Sequence, residues 1–133
     1  MNECSRCVVR SYSPVLSESA SIEMQTVTAL ATPPGEILSG IDGMSWYKGS
    51  LIAIQNGVGR ARVIRVRLDD ENIAAIDVME AANPRFDEPT TGAIADGAFY
   101  FMANPQLRAF DENHRLWPRR RLHDVIVLRL PLD

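Results

Sequence analysis

Gly49-Ser50-Leu51-Ile52-Ala53-Ile54-Gln55-Asn56 is answered 48 residues later by Gly97-Ala98-Phe99-Tyr100-Phe101-Met102-Ala103-Asn104. Each stretch opens on a glycine, runs through a short apolar segment and ends on an asparagine. Four to six apolar residues bounded by turn formers have the length of a strand, and too little length for a stable helix. Apolar residues at consecutive positions, rather than alternate ones, mean a strand covered on both faces.

The repetition extends in both directions. Upstream, Asp42-Gly43-Met44-Ser45-Trp46 is matched by Thr91-Gly92-Ala93-Ile94-Ala95, with the glycines 49 residues apart. Ala31-Thr32-Pro33 is matched by Ala82-Asn83-Pro84 at an offset of 51. Downstream, Val63-Ile64-Arg65-Val66-Arg67-Leu68 is echoed by Val125-Ile126-Val127-Leu128-Arg129-Leu130 at an offset of 62, because residues 107–121 lengthen the second loop. In the first of these, Ile64, Val66 and Leu68 fall on one face. Ile73 to Met79 follows the turn Asp69-Asp70-Glu71-Asn72, and Ile22 to Leu30 supplies a further, more polar strand.

A repeat of about 40–50 residues built from four short strands is the pattern of a β-propeller blade. The fold class expected is therefore all-β: two four-stranded antiparallel sheets, an incomplete propeller or one third of a six-bladed ring. The expected boundaries are an irregular tail over 1–20, an outer strand over 22–30, a first blade over about 41–80 and a second over about 90–131. Two blades alone leave apolar sheet faces and strand edges open. The chain is thus either a fragment of a longer propeller or a protomer of a ring. In a homotrimer, Ile22–Leu30 could complete the last blade of a neighbouring copy.

Composition narrows the function. Of 133 residues, 46% are hydrophobic, enough for a packed core. The formal net charge is −3, which argues against a general nucleic-acid binder. No apolar run approaches the roughly 18 residues of a membrane span, and the N-terminus lacks the design of a signal peptide. A soluble, by default cytoplasmic, protein is expected. Cys4 and Cys7 form one C-x-x-C, too few ligands for structural zinc without nearby histidines, and read as incidental thiols.

Gly40-Ile41-Asp42-Gly43-Met44-Ser45-Trp46, the turn at Gly49, Gln55-Asn56-Gly57 and Arg62-Val63-Ile64-Arg65 together resemble a late blade of one propeller group. Glu88-Pro89-Thr90-Thr91-Gly92 resembles the opening of its last blade. That group is the senescence-marker-protein, gluconolactonase and luciferin-regenerating-enzyme family, and the resemblance covers residues 37–133. It implies a six-bladed propeller holding a divalent cation (calcium, zinc or manganese) near the mouth of the central channel, and hydrolysis of a small-molecule lactone or related ester. Asp42 matches the family's aspartate ligand. The glutamate and asparagine ligands lie in earlier blades, and Thr91, the repeat counterpart of Asp42, is not a matching ligand.

Chemically, a cation bound by oxygen ligands polarises the carbonyl and lowers the pKa of a bound water, and a carboxylate beside it can take the water's proton. Asp42 is thus the candidate catalytic and metal residue. Asp-Gly is also a common turn pair, in which the carboxylate caps loop N–H groups. The alternative is a non-catalytic binding or structural module without metal. Asn56 and Asn104, at matched strand ends, read as structural turn residues. Asp87 and Glu88 read as solvated loop charges, His114 and His123 as surface residues, and Arg119–Arg121 as a solvated loop paired with acidic neighbours. Trp46 and Tyr47 read as packing between blades.

Overall fold

The computed structural model describes residues 6–9, 28–69 and 72–133. Nine strands are described: β1 (Arg6–Val9), β2 (Thr28–Ala31), β3 (Ile41–Tyr47), β4 (Ser50–Gln55), β5 (Arg62–Asp69), β6 (Asn72–Ala81), β7 (Gly92–Ala95), β8 (Ala98–Met102) and β9 (Val127–Pro131). The one short 3₁₀ turn described spans Arg119–Arg121. Among the described residues no helix is long and apolar enough to cross a membrane.

The all-β expectation holds. β3-β4-β5-β6 form a four-stranded antiparallel meander, and β7-β8-β9 a three-stranded one. Two matched hairpins start these sheets. Lys48 and Gly49 (φ 43° and 78°) turn β3 into β4, and Asp96 and Gly97 (φ 47° and 68°) turn β7 into β8. Positive φ at both central residues is the turn whose twist suits adjoining strands, and glycine adopts it without strain. The duplicated glycine marks a duplicated turn.

Three expectations require correction. The second sheet has three strands, not four. The part of Ile22–Leu30 within the described residues, Thr28–Leu30, belongs to β2, which pairs with β1 rather than with either meander. Residues 1–20 were expected to be an irregular lead-in, yet Arg6–Val9 is a strand with Cys7 opposite Leu30 and Val8 opposite Ala29. Residues 10–27 and the tip of the Asp69–Asn72 turn lie outside the described residues.

The core forms on both faces of β4, all six of whose residues are buried. Successive strand side chains point to opposite faces. Leu51 and Ala53 therefore join Leu30, Ile64, Val66 and Ile73 in one cluster, with Leu68 packed against it. Ile52 and Ile54 join Val63, Phe99, Phe101 and Leu132 in another. β2 lies against the first face, where Leu30 joins the cluster and the strand runs close to β6, and the three-stranded sheet covers the second. Phe99 and Phe101 stack at 5.4 Å, and Phe86 meets Phe101 edge-on at 5.8 Å.

Leu51–Ile54 and Phe99–Met102 thus lie in separate stacked sheets, not in one continuous layer. The two sheets come together at β3 and β7, whose Cα atoms approach within 8 Å. Sheets packed face to face ordinarily stand about 10 Å apart. The closeness depends on Gly43. A Cβ there would stand 2.5 Å from the Thr90 carbonyl oxygen and 3.0 Å from Thr91 Cα. Gly43 is therefore required for contact between sheets, not for the tight turn that the Asp-Gly pair suggested.

Candidate functional site around Asp42

β3 and β4 pair residue for residue except at one place. Ile41 is opposite Gln55 and Gly43 is opposite Ile54, so Asp42 is the extra residue of a β-bulge. Bulges re-aim a side chain and often stand beside functional sites. The Asp42 side chain is exposed, and its Oδ2 accepts a hydrogen bond from Asn56 Nδ2 at 3.0 Å. The same amide nitrogen donates to the Pro89 carbonyl at 2.7 Å. Asn56 lies just beyond β4, where its backbone N–H donates to Gly40 O at 3.0 Å. One amide group thus ties the bulge to the segment that leads into β7.

Asn104, the repeat counterpart, also binds backbone. Its Nδ2 donates to Asp124 O at 2.9 Å and its Oδ1 accepts from Ile126 N at 2.6 Å. Both asparagines therefore do structural work at the strand ends, as their matched spacing suggested. Glu88 departs from its expected role as a solvated charge, because its carboxylate is held by Arg108. Asp87 is exposed, and its backbone N–H donates to Ala103 O.

The sequence reading missed Gln55. It is 1% exposed and uses both ends of its amide. Nε2 donates to the carbonyls of Ile37 and Ser39, and Oε1 accepts from Arg62 Nε at 2.6 Å. A buried amide must satisfy its hydrogen bonds internally, so Gln55 fixes the segment that leads into β3. The available signal was a lone polar residue closing an apolar run whose repeat carries Ala103.

At the far end of the same hairpin, Asp133 accepts hydrogen bonds from the Tyr47 hydroxyl and from Lys48 Nζ at 2.8 Å. The hydrogen bonds from Lys48 and Tyr47 hold the Asp133 carboxyl below its ordinary range, and the Asp133 contact raises the Lys48 ammonium above its own. Tyr47 packs against the inter-sheet cluster as expected. Trp46 does not: it is 60% exposed. It lies opposite Leu51, on the face that β2 approaches near β6, and Met44 and Trp46 are exposed at the β3 end of that face.

The chemistry available at Asp42 can now be weighed. Among the described residues no three His, Cys, Asp or Glu side chains converge. Calcium takes six to eight oxygen ligands and catalytic zinc about three protein ligands. Asp42 supplies one carboxylate, and the nearest polar hydrogens, on Asn56 Nδ2, are donors that repel a cation. The described residues around Asp42 do not fit a catalytic divalent ion. Both histidines are exposed. Cys4 lies outside the described residues and Cys7 falls in β1. Comparisons with protein-family models, with curated proteins and with solved structures find no match to this chain.

Proposed function

We propose that this chain is a wedge of a β-propeller and serves as a non-catalytic binding or structural module. The observation that carries the reading is the convergence of two stacked antiparallel sheets at β3 and β7, with β4 buried on both faces. Blades radiating from an axis need this combination: inner strands in contact, and inner-to-middle strands apolar on both sides. Open apolar faces at both ends of the stack support completion by further blades, in a longer chain or in further copies. Met44 and Trp46 are exposed on one such face, and Val127 on the other.

A second reading, a metal-dependent lactonase-like propeller, is favoured by the position of Asp42 at the converging edge and by the family resemblance. It requires ligands beyond those around Asp42. Calorimetric titration with calcium, zinc and manganese separates the two. The module reading expects no tight site, and equal lactone opening by the unaltered chain and Asp42→Ala. A tight one-site isotherm lost in Asp42→Ala, with loss of lactone opening, overturns it in favour of the enzyme.

A further inference from the structure

We propose that the β8–β9 loop is a docking surface for an acidic peptide segment carrying large apolar side chains. The inference does not depend on the blade reading, because it rests on the loop's own structure.

Between Asn104 and Ile126 the chain carries five arginines against Asp111, Glu112 and Asp124, whereas the whole chain is net −3. The loop is built and held at its base. Gln106 Nε2 donates to His123 O at 3.0 Å, and His123 N donates back to Gln106 Oε1 at 2.8 Å. Above this base a small hairpin forms. Phe110 pairs with Leu116, and Trp117 N donates to Ala109 O at 2.8 Å. Asp111 Oδ1 closes its tip by accepting from the backbone N–H groups of Asn113 and Arg115.

The arginines are not paired as the sequence suggested. Arg108 is held by Glu88. Among the described residues Arg115, Arg119, Arg120 and Arg121 have no carboxylate within ion-pair distance. The Arg121 guanidinium instead lies 4.4 Å from the centre of the Trp117 ring, which orders it without neutralising it. Phe110 and Leu116, cross-strand partners on one face of the hairpin, are each half exposed, as is Leu107. The arginine run begins three residues after Leu116.

Uncompensated guanidinium groups beside exposed apolar side chains fit a partner that offers both carboxylates and apolar side chains. A nucleic acid is a poorer complement. Its phosphates need a basic field wider than one loop, and leave Leu107 and Leu116 without a counterpart.

The test uses the full chain and a fluorescent peptide of repeated Glu-Leu-Glu-Glu-Phe units, with an oligothymidylate strand and phosphatidylserine vesicles as rival probes. The peptide is expected to bind with an affinity that falls as salt rises. Arg119→Glu with Arg120→Glu should weaken it on the order of tenfold or more, Phe110→Ser should weaken it too, and Arg60→Glu in a distant loop should not. All these positions are exposed, so folding is retained and is checked by circular dichroism. Absence of peptide binding at low salt overturns the proposal. So does equal affinity in the charge-reversed variant, or tighter binding of the oligonucleotide or the vesicles.

Discussion

Gly43 stands against Thr90 so closely that any β-carbon on it would lie 2.5 Å from the Thr90 carbonyl oxygen. This contact joins β3, the edge strand of one meander, to the segment opening the next. The obstacle is backbone, which cannot swing aside as a long side chain can.

Gly43→Ala should therefore force β3 and β7 apart or distort the bulge at Asp42. Overpacking at such a place costs about 1–3 kcal/mol. The urea midpoint should fall accordingly. An unchanged midpoint would mean that the two sheets are not held in contact at this edge.

Asn56 serves two acceptors with one nitrogen, and its replacements separate them. Asn56→Ala leaves the part-buried Pro89 carbonyl without its donor and should destabilise by about 1–3 kcal/mol. Asp42→Ala removes only an exposed acceptor and should cost less. Asn56→Asp sets a second carboxylate beside Asp42 and should be more damaging near neutral pH than near pH 4, where carboxylates take up protons. Denaturant unfolding at the two pH values checks the order, and an Asp42→Ala variant weaker than Asn56→Ala would contradict it.

Gln55→Leu preserves bulk while removing both ends of a buried amide. Ile37 O and Ser39 O lose a donor, and Arg62 Nε loses its acceptor. The expected loss is about 2 kcal/mol or more, with amide hydrogen exchange rising first around 37–41. Gain of stability from the added apolar surface would show that the amide network has no net value.

The parts that could be read from the sequence are those in which local chemistry and tertiary environment agree. Leu51–Ile54 are apolar at every position because β4 is buried on both faces, Phe99 and Phe101 because they pack against it in the inter-sheet cluster, and Gly49 and Gly97 repeat because their hairpins repeat. Asp42 was singled out, but its bulge was not visible, since the register of β3 against β4 depends on pairing and not on residue type. The strand at Arg6–Val9 is four residues long, too short for its period to show. Arg119–Arg121 in an acidic chain suggested pairing with acidic neighbours, yet the Asp111 carboxylate of the same loop accepts from backbone N–H groups instead.

The contact of Tyr47 and Lys48 with Asp133 gives a dependence on pH at both extremes. The Asp133 carboxyl lies below its ordinary value of 3.8 in the folded chain, so its contribution is complete above that value and is lost as pH falls through the lower folded one. The Lys48 ammonium lies above its ordinary 10.5, so its contribution is complete below that value and is lost as pH rises through the higher folded one. Asp133→Asn removes the carboxylate that takes part in both shifts. The difference in melting temperature between the unaltered chain and Asp133→Asn should stay level between these limits, shrink at the acid end and shrink again at the alkaline end. Because all three side chains meet solvent, the difference should also fall with added salt. A difference unaffected by pH and salt would mean that Asp133 acts at this hairpin through packing and not through charge.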